Sequence, residues 1–263
     1  MNISEQQLKN KTVVLTRSPE QITESSLIFE KLGAKVILFP TIKIVPPKSW
    51  DEFDNAVQQL RTFDYLIFTS PNAVKMFSAR CSELNIQLDF SSIKVASVGK
   101  KTSSLLAEKN IPVHITPYKF TGRELARKLK GINLEGKRFF IPRSAIGRED
   151  LLSELKEAGA VIVTAVVYDV GITSREEVKD YIEELSKQKP DAFLFTSPST
   201  FDNFVKIMEL TNPAAYFEGS TIAAIGPTTK TVIEKYTVGV DVMPEEHTME
   251  SLADALVKNL SAR

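Results

Sequence analysis

Two arginines close short apolar runs in this chain, Arg17 in VVLTRS and Arg143 in FFIPRS, where a planar guanidinium can fork onto a carboxylate. Tyr168, in VVYDVGIT, offers a different chemistry. A phenol, with an ordinary pKa of about 10, stays protonated at neutral pH, so it can donate a proton or a hydrogen bond to a departing oxygen but is a poor base. Taken alone, each of the three also reads as ordinary structure: a solvated arginine, or a ring packed in a hinge. The remaining candidates fall in six loops: Thr16-Arg17-Ser18-Pro19, Thr69-Ser70-Pro71-Asn72, Val98-Gly99-Lys100-Lys101-Thr102, Pro142-Arg143-Ser144, Thr196-Ser197-Pro198-Ser199 and Ile225-Gly226-Pro227-Thr228-Thr229. Ser or Thr is a preferred N-cap and Pro suits the first helical position, so each Ser-Pro starts a helix. One such cap needs no further role. Several, gathered at one edge of two sheets, present free N–H groups and positive dipole ends, a setting that favours carboxylates or phosphates. Lys100, Lys101 and Arg148 add local positive charge.

Other chemistries lack their residues. There is no G-x-G-x-x-G after a strand and no G-x-x-x-x-G-K-[ST], which removes the usual warrant for NAD or ATP. The two histidines, His114 and His247, lie away from the six loops in sequence, and no Cys/His/carboxylate cluster accompanies them, so neither a metal site nor a Ser-His-Asp or Cys-His apparatus is expected.

The elements that must position these residues are legible from spacing. Val13–Leu15, Val36–Phe39, Tyr65–Phe68, Val95–Val98 and Val113–Ile115 are short, apolar and rich in β-branched or aromatic residues, and read as strands. Between them SSLIFEKLG, NAVKMFSAR and KTSSLLAEKN space apolar residues at three and four, as helices do against a sheet. Alternating elements of this kind predict doubly wound parallel sheets. In such sheets ligands sit beyond the carboxyl ends of the strands, where the six loops fall.

The chain also repeats itself. VVLTRS recurs as FFIPRS, LGAKVI as AGAVIV, FDYLIFTSPNA as PDAFLFTSPST, VASVGKKT as IAAIGPTT, and VHITPYKFTGRELARKL as VDVMPEEHTMESLADAL, all at an offset of 126 or 127 residues. An ordered series at constant offset predicts an internal duplication. With 263 residues, two lobes are expected. Matching extended stretches, FPTIKIVPP and VVYDVGIT, allow two divisions: a plain split near residue 131, or interleaved lobes in which paired crossings carry the chain out and back.

Thirty-three Lys and Arg balance 33 Asp and Glu, leaving no overall positive field to draw in nucleic acid or an acidic membrane. A single cysteine, Cys81, suits a reducing compartment. Neither a signal peptide nor an apolar run of spanning length is visible, and a soluble cytoplasmic protein is expected.

The ordered set LTR, FTSPNAV, VASVGKKT, VVYDV, FTSPS and AAIGPTT resembles the uroporphyrinogen-III synthase family over about Thr12 to Leu256. The resemblance implies a monomeric, cofactor-free enzyme of two interleaved, flavodoxin-like α/β lobes. One comprises residues 1–40 and 173–263 and the other 45–166, with a two-stranded linker at about 41–44 and 167–172 and the substrate between the lobes. It further implies hydroxymethylbilane, a linear tetrapyrrole with eight carboxylates, as substrate, with transient contact to the preceding pathway enzyme as a further expectation. In that frame Tyr168 is the candidate proton donor. Thr228, Thr102, Ser197 and Thr229 supply hydroxyls, and backbone N–H groups following Ser70, Gly99, Ser197 and Gly226 hold carboxylates. Asn72 and Ser199 join the substrate-binding set, and Arg17 and Arg143 do so on spacing. Two other readings fit the bare pattern: a non-catalytic two-lobe binder of a small polyanion, and a flavodoxin-like redox module.

Overall fold

The computed structural model describes residues 6–16, 19–147 and 149–261, with the backbone alone at 19–24. The strands are β1 (Thr12–Leu15), β2 (Lys35–Leu38), β3 (Ile42–Val45), β4 (Tyr65–Phe68), β5 (Lys94–Ser97), β6 (Arg138–Ser144), β7 (Val161–Ile172), β8 (Ala192–Phe195) and β9 (Thr221–Ala224), and the pairs β1–β2, β1–β8, β8–β9, β4–β5, β4–β6 and β6–β7 are parallel. They form a four-stranded sheet in the order β2-β1-β8-β9 and a five-stranded sheet in the order β3-β7-β6-β4-β5. β1, β4, β8 and β9 are buried throughout, because helices cover both faces of each sheet. The chain divides into two compact units, Met1–Lys43 with Gly171–Arg263, and Ile44–Val170.

In the first unit, one face of the sheet packs Val14, Phe193, Phe195 and Ile222 against Phe201, Phe204 and Phe217. The other packs Val13, Leu15, Leu194 and Ala223 against Phe29, Leu252 and Leu256. The second unit repeats the scheme. Leu66, Phe68, Val95 and Phe140 meet Phe53 and Phe77 on one side, while Tyr65, Ile67, Ala96 and Ile141 meet Leu125, Leu151 and Leu155 on the other.

Register agrees pair by pair. Thr12 is opposite Lys35 and Arg138 opposite Val161; Val13 is opposite Ala192 and Phe139 opposite Tyr65; Ala192 is opposite Thr221 and Tyr65 opposite Lys94. An aspartate closes the amino end of each sheet. Asp191 accepts the Thr12 N–H at 2.8 Å and Lys11 Nζ at 3.1 Å; Asp64 accepts the Arg138 N–H at 2.9 Å and Lys137 Nζ at 2.9 Å. Burial raises the pKa of Asp64, but the Arg138 N–H and Lys137 outweigh it and hold the carboxyl below its ordinary value.

One sequence expectation needs correction. Val113–Ile115 forms no strand, only a single bridge from Ile115 to Ala96, matched by Val242 to Ala223. The reason is local: His114 Nδ1 accepts the Val95 N–H at 3.0 Å and the Asp241 carboxylate accepts the Ile222 N–H at 2.8 Å, so a side chain takes the place of a ladder carbonyl. Residues 167–172, expected as one strand of a two-stranded linker, form the second half of β7, which lies beside β3 in the sheet order. The ladder to β6 continues past Arg143 through a register shift, and the Ala145 N–H donates to the Tyr168 carbonyl at 3.0 Å.

Candidate functional site

In the second unit three helix starts bring their polar residues to the carboxyl ends of the strands. Ser70 caps the helix Pro71–Glu83, its Oγ accepting the Ala73 N–H at 3.1 Å. Gly99 is the N-cap of Lys100–Glu108, and Thr121 caps Gly122–Leu129 by accepting the Glu124 N–H at 3.2 Å. Beside them lies a cavity of about 580 Å³, lined by Phe120, Arg123, Arg143, Ile146, Asp150 and Tyr168 among others.

Tyr168 enters this cavity through an irregularity in β7. Arg143 is opposite Val166, but Ser144 is opposite Tyr168, so Val167 is an extra residue on the β7 side. Such a bulge re-aims the side chains that follow it. Val167 and Tyr168, which alternation would turn to opposite faces, both pack in the same apolar cluster. The phenol ring is buried, and its oxygen lies 3.0 Å from Ser70 Oγ, 98 positions away in sequence.

Arg143 is the better sheltered of the two guanidinium groups, its side chain only 12% exposed. It donates through Nη2 to Glu149 at 2.7 Å, and that hydrogen bond holds the Glu149 carboxyl below its ordinary pKa. Gly147 leaves the room it needs, since a β-carbon there would run into the guanidinium. Arg123 is more exposed and lies 4.0 Å from Asp150. A buried hydroxyl donor at a cavity lined by two guanidinium groups, each with a carboxylate partner that a substrate can displace, suits a substrate that carries both a leaving oxygen and carboxylates.

The first unit holds the related loops. Ser197 caps Pro198–Met208 in a reciprocal capping box with Thr200, and its Oγ lies 3.0 Å from that of Ser199, which is exposed. Gly226 begins the helix Pro227–Glu234, where Thr228 is exposed. Thr229 turns inward, as does Thr102 in the second unit; both are 3% exposed and stand four residues before the buried Ile233 and Leu106. Their helical phase puts these two hydroxyls in the packing, leaving Thr228 as the accessible one.

Sequence distance misled on His247. Its ring lies against Gly226, with Nε2 3.2 Å from where a β-carbon on that glycine would stand, because the chain returns past the strand end before the helix Met249–Ser261. Arg17 and Arg148 lie outside the described residues. Asn72, next to Ser70, and Gly99 are half-buried at their helix starts. Phe120, Arg123 and Ile146 had not been singled out; Thr121-x-x-Glu124, a capping pattern directly after Phe120, was the available signal. Among the described residues no group of three or more His, Cys, Asp or Glu is placed to hold a metal.

Fold and site together describe an α/β protein of two parallel-sheet units, with a phenol and paired guanidinium groups at the strand ends of one, suited to act on an anionic substrate. The profile of the uroporphyrinogen-III synthase HemD family matches residues 23–254, and the chain belongs to that family. It is 30% identical over 258 residues to the uroporphyrinogen-III synthase of Synechococcus elongatus, covering 97% of both chains, and 29% identical to that of Chlorobaculum parvum, covering 95% of this chain and 99% of the relative. Among solved structures, uroporphyrinogen-III synthetase from Helicobacter pylori superposes with a TM-score of 0.55 at 20% identity, covering 96% of this chain and all of that one. A mutant uroporphyrinogen III synthase from Thermus thermophilus gives 0.53 at 18%, with the same coverage. These two establish likeness of fold.

Proposed function

We propose that this chain is a uroporphyrinogen-III synthase, converting hydroxymethylbilane to uroporphyrinogen III and water, and that the Tyr168 phenol is its proton donor. The observation that carries the proposal is a buried phenol at a cavity lined by Arg143 and Arg123, in a member of this family. Tyr168 gives its proton to the terminal hydroxyl as the carbon–oxygen bond breaks; the bonding pair leaves with water and the pyrrole nitrogen supports the cation left behind. The substituted carbon of the last ring attacks that cation, giving a spiro intermediate. It fragments and recloses with the ring reversed, and the proton lost on rearomatisation restores the phenol. The substrate's own electrons make and break these bonds, so the protein's share is to fold a flexible chain and to surround a transient cation with ordered dipoles. Arg143 and Arg123 take carboxylates, with Glu149 yielding Arg143 to the incoming group. Helix starts after Ser70, Gly99, Ser197 and Gly226, and the Thr228 hydroxyl, meet others.

Duplication is the proposed origin of the architecture, with lobes interleaved about paired crossings. Matching registers, matching aspartate anchors and the paired roles of His114 and Asp241 support it. We take the enzyme to act as a cofactor-free monomer in the cytoplasm, with transient contact to the enzyme that makes its substrate. No described helix is long and apolar enough to cross a membrane. The test is an assay in which hydroxymethylbilane is generated in place and the oxidised products are separated by isomer. Type III product is expected; type I alone, the isomer that closes spontaneously, overturns the function.

A further inference from the structure

Ser70 is bonded on two sides. Its Oγ accepts the Ala73 N–H at 3.1 Å, as an N-cap does, and lies 3.0 Å from the Tyr168 oxygen. The helix start at Ser197 shows what such a serine does without a phenol beside it. There Thr200 closes a capping box: its N–H donates to Ser197 Oγ at 3.3 Å while its own Oγ1 accepts the Ser197 N–H at 3.2 Å, and Ser199 Oγ sits 3.0 Å from the cap. At Ser70 the third residue is Ala73, which has no hydroxyl to close the box, and the partner comes instead from β7, delivered by the bulge at Val167.

We propose that Ser70 is a positioning residue for the reaction: its hydroxyl, oriented by the helix start, donates to the Tyr168 oxygen and leaves the phenolic hydrogen free for the departing hydroxyl. The inference rests on the reading of Tyr168 as proton donor. A serine oxygen that already accepts a backbone N–H directs its own hydrogen away from the helix, toward the Tyr168 oxygen 3.0 Å away. Tyr168 then accepts through a lone pair and has one hydrogen to give. When that hydrogen passes to the leaving oxygen, the phenolate keeps the Ser70 O–H as donor, so the bond strengthens as charge develops, which is the condition for lowering the barrier. The proton released later in the cycle returns to the Tyr168 oxygen and the Ser70 bond is restored.

The test compares Ser70→Ala, Ser70→Thr, Ser70→Asp and Tyr168→Phe, and the pair Ser70→Ala with Tyr168→Phe, by kcat and KM in the isomer-resolved assay, with folding checked by thermal melting. Aspartate keeps the cap, since its carboxylate accepts the Ala73 N–H, but has no hydrogen to donate. Ser70→Ala and Ser70→Asp are expected to lower kcat by about tenfold or more with KM nearly unchanged; Ser70→Thr restores turnover, and Ser70→Ala costs little further in the Tyr168→Phe background. Full turnover of Tyr168→Phe would sink the reading of Tyr168 and this inference with it. If Tyr168→Phe is slow, three results overturn the inference alone: full kcat with Ser70→Asp, a raised KM at constant kcat with Ser70→Ala, or losses from the two substitutions that multiply in full.

Discussion

Tyr168, Arg143 and Thr228 can each be removed with little insult to the core, which makes their roles separable. Replacing Tyr168 by Phe keeps the ring among Val167, Phe68 and their neighbours and removes one oxygen. We expect a turnover loss of roughly 10- to 1,000-fold, the range of general-acid contributions, with the melting temperature retained. For Arg143 the informative change is next door. Gly147→Ala places a β-carbon against the guanidinium, which must move, and KM should rise by roughly 10-fold as a charge-assisted bond to a substrate carboxylate is lost, with kcat less affected. Thr228→Val should weaken activity by roughly 5-fold, the equivalent of one ordinary hydrogen bond of about 1 kcal/mol. The buried thiol of Cys81, pushed up to about 12 by burial, stays a thiol and takes no part.

Where the ladders begin, side-chain hydrogen bonds anchor the strands. Asp191 accepts from the amide of buried Thr12 and from Lys11, and its own N–H and carbonyl tie β1 to β9, so one residue gathers three chain segments. Asp191→Ala leaves the Thr12 N–H without an acceptor, and denaturant unfolding should show a loss of about 2 kcal/mol with the slope unchanged. The apolar pattern announced β1, β2, β4 and β5 because each is a run too short for a helix and rich in β-branched or aromatic residues, and the repeat carries the same pattern to β8 and β9. It marked the end of β7 as an extended run but was silent on its bulge. A bulge adds one residue without altering composition, so the break at Val167 leaves no trace in the alternation that follows. Val113–Ile115 failed for the opposite reason: its apolar residues fit a strand, but His114 supplies through its side chain what the ladder would have supplied through the backbone.

At the level of the molecule, the unit Ile44–Val170 is continuous in sequence and has its own apolar layers on both faces of its sheet. A chain covering that stretch should therefore melt cooperatively on its own, as followed by circular dichroism; absence of a cooperative transition would mean that the units depend on each other for stability. Part of the acid stability comes from the other unit. Hydrogen bonds from Lys43 and Ser174 hold the Glu177 carboxyl at about 2, below its ordinary 4.5, so the stability this ionised group contributes is present above pH 4.5 and is lost as pH falls toward 2. Glu177→Gln should lower the melting temperature slightly at pH 7, and the two curves should meet near pH 2.

What could be read from the chain alone was whatever depends on local pattern: the short strands, the Ser-Pro helix starts, the constant offset between Arg17 and Arg143 or Ser70 and Ser197, and Tyr168 as the odd phenol in an extended run. Those follow from side-chain period and backbone preference, which act over a few residues. The contacts that give the site its chemistry act over many. Ser70 meets Tyr168 across 98 positions, Phe120 and Arg123 reach the same cavity from another strand end, and His247 folds back onto Gly226. Thr102 and Thr229 are hidden although their loops are exposed. Such pairings depend on register, a bulge and the crossing of helices, all settled by packing once the sheets exist, and no run of residues records them in advance.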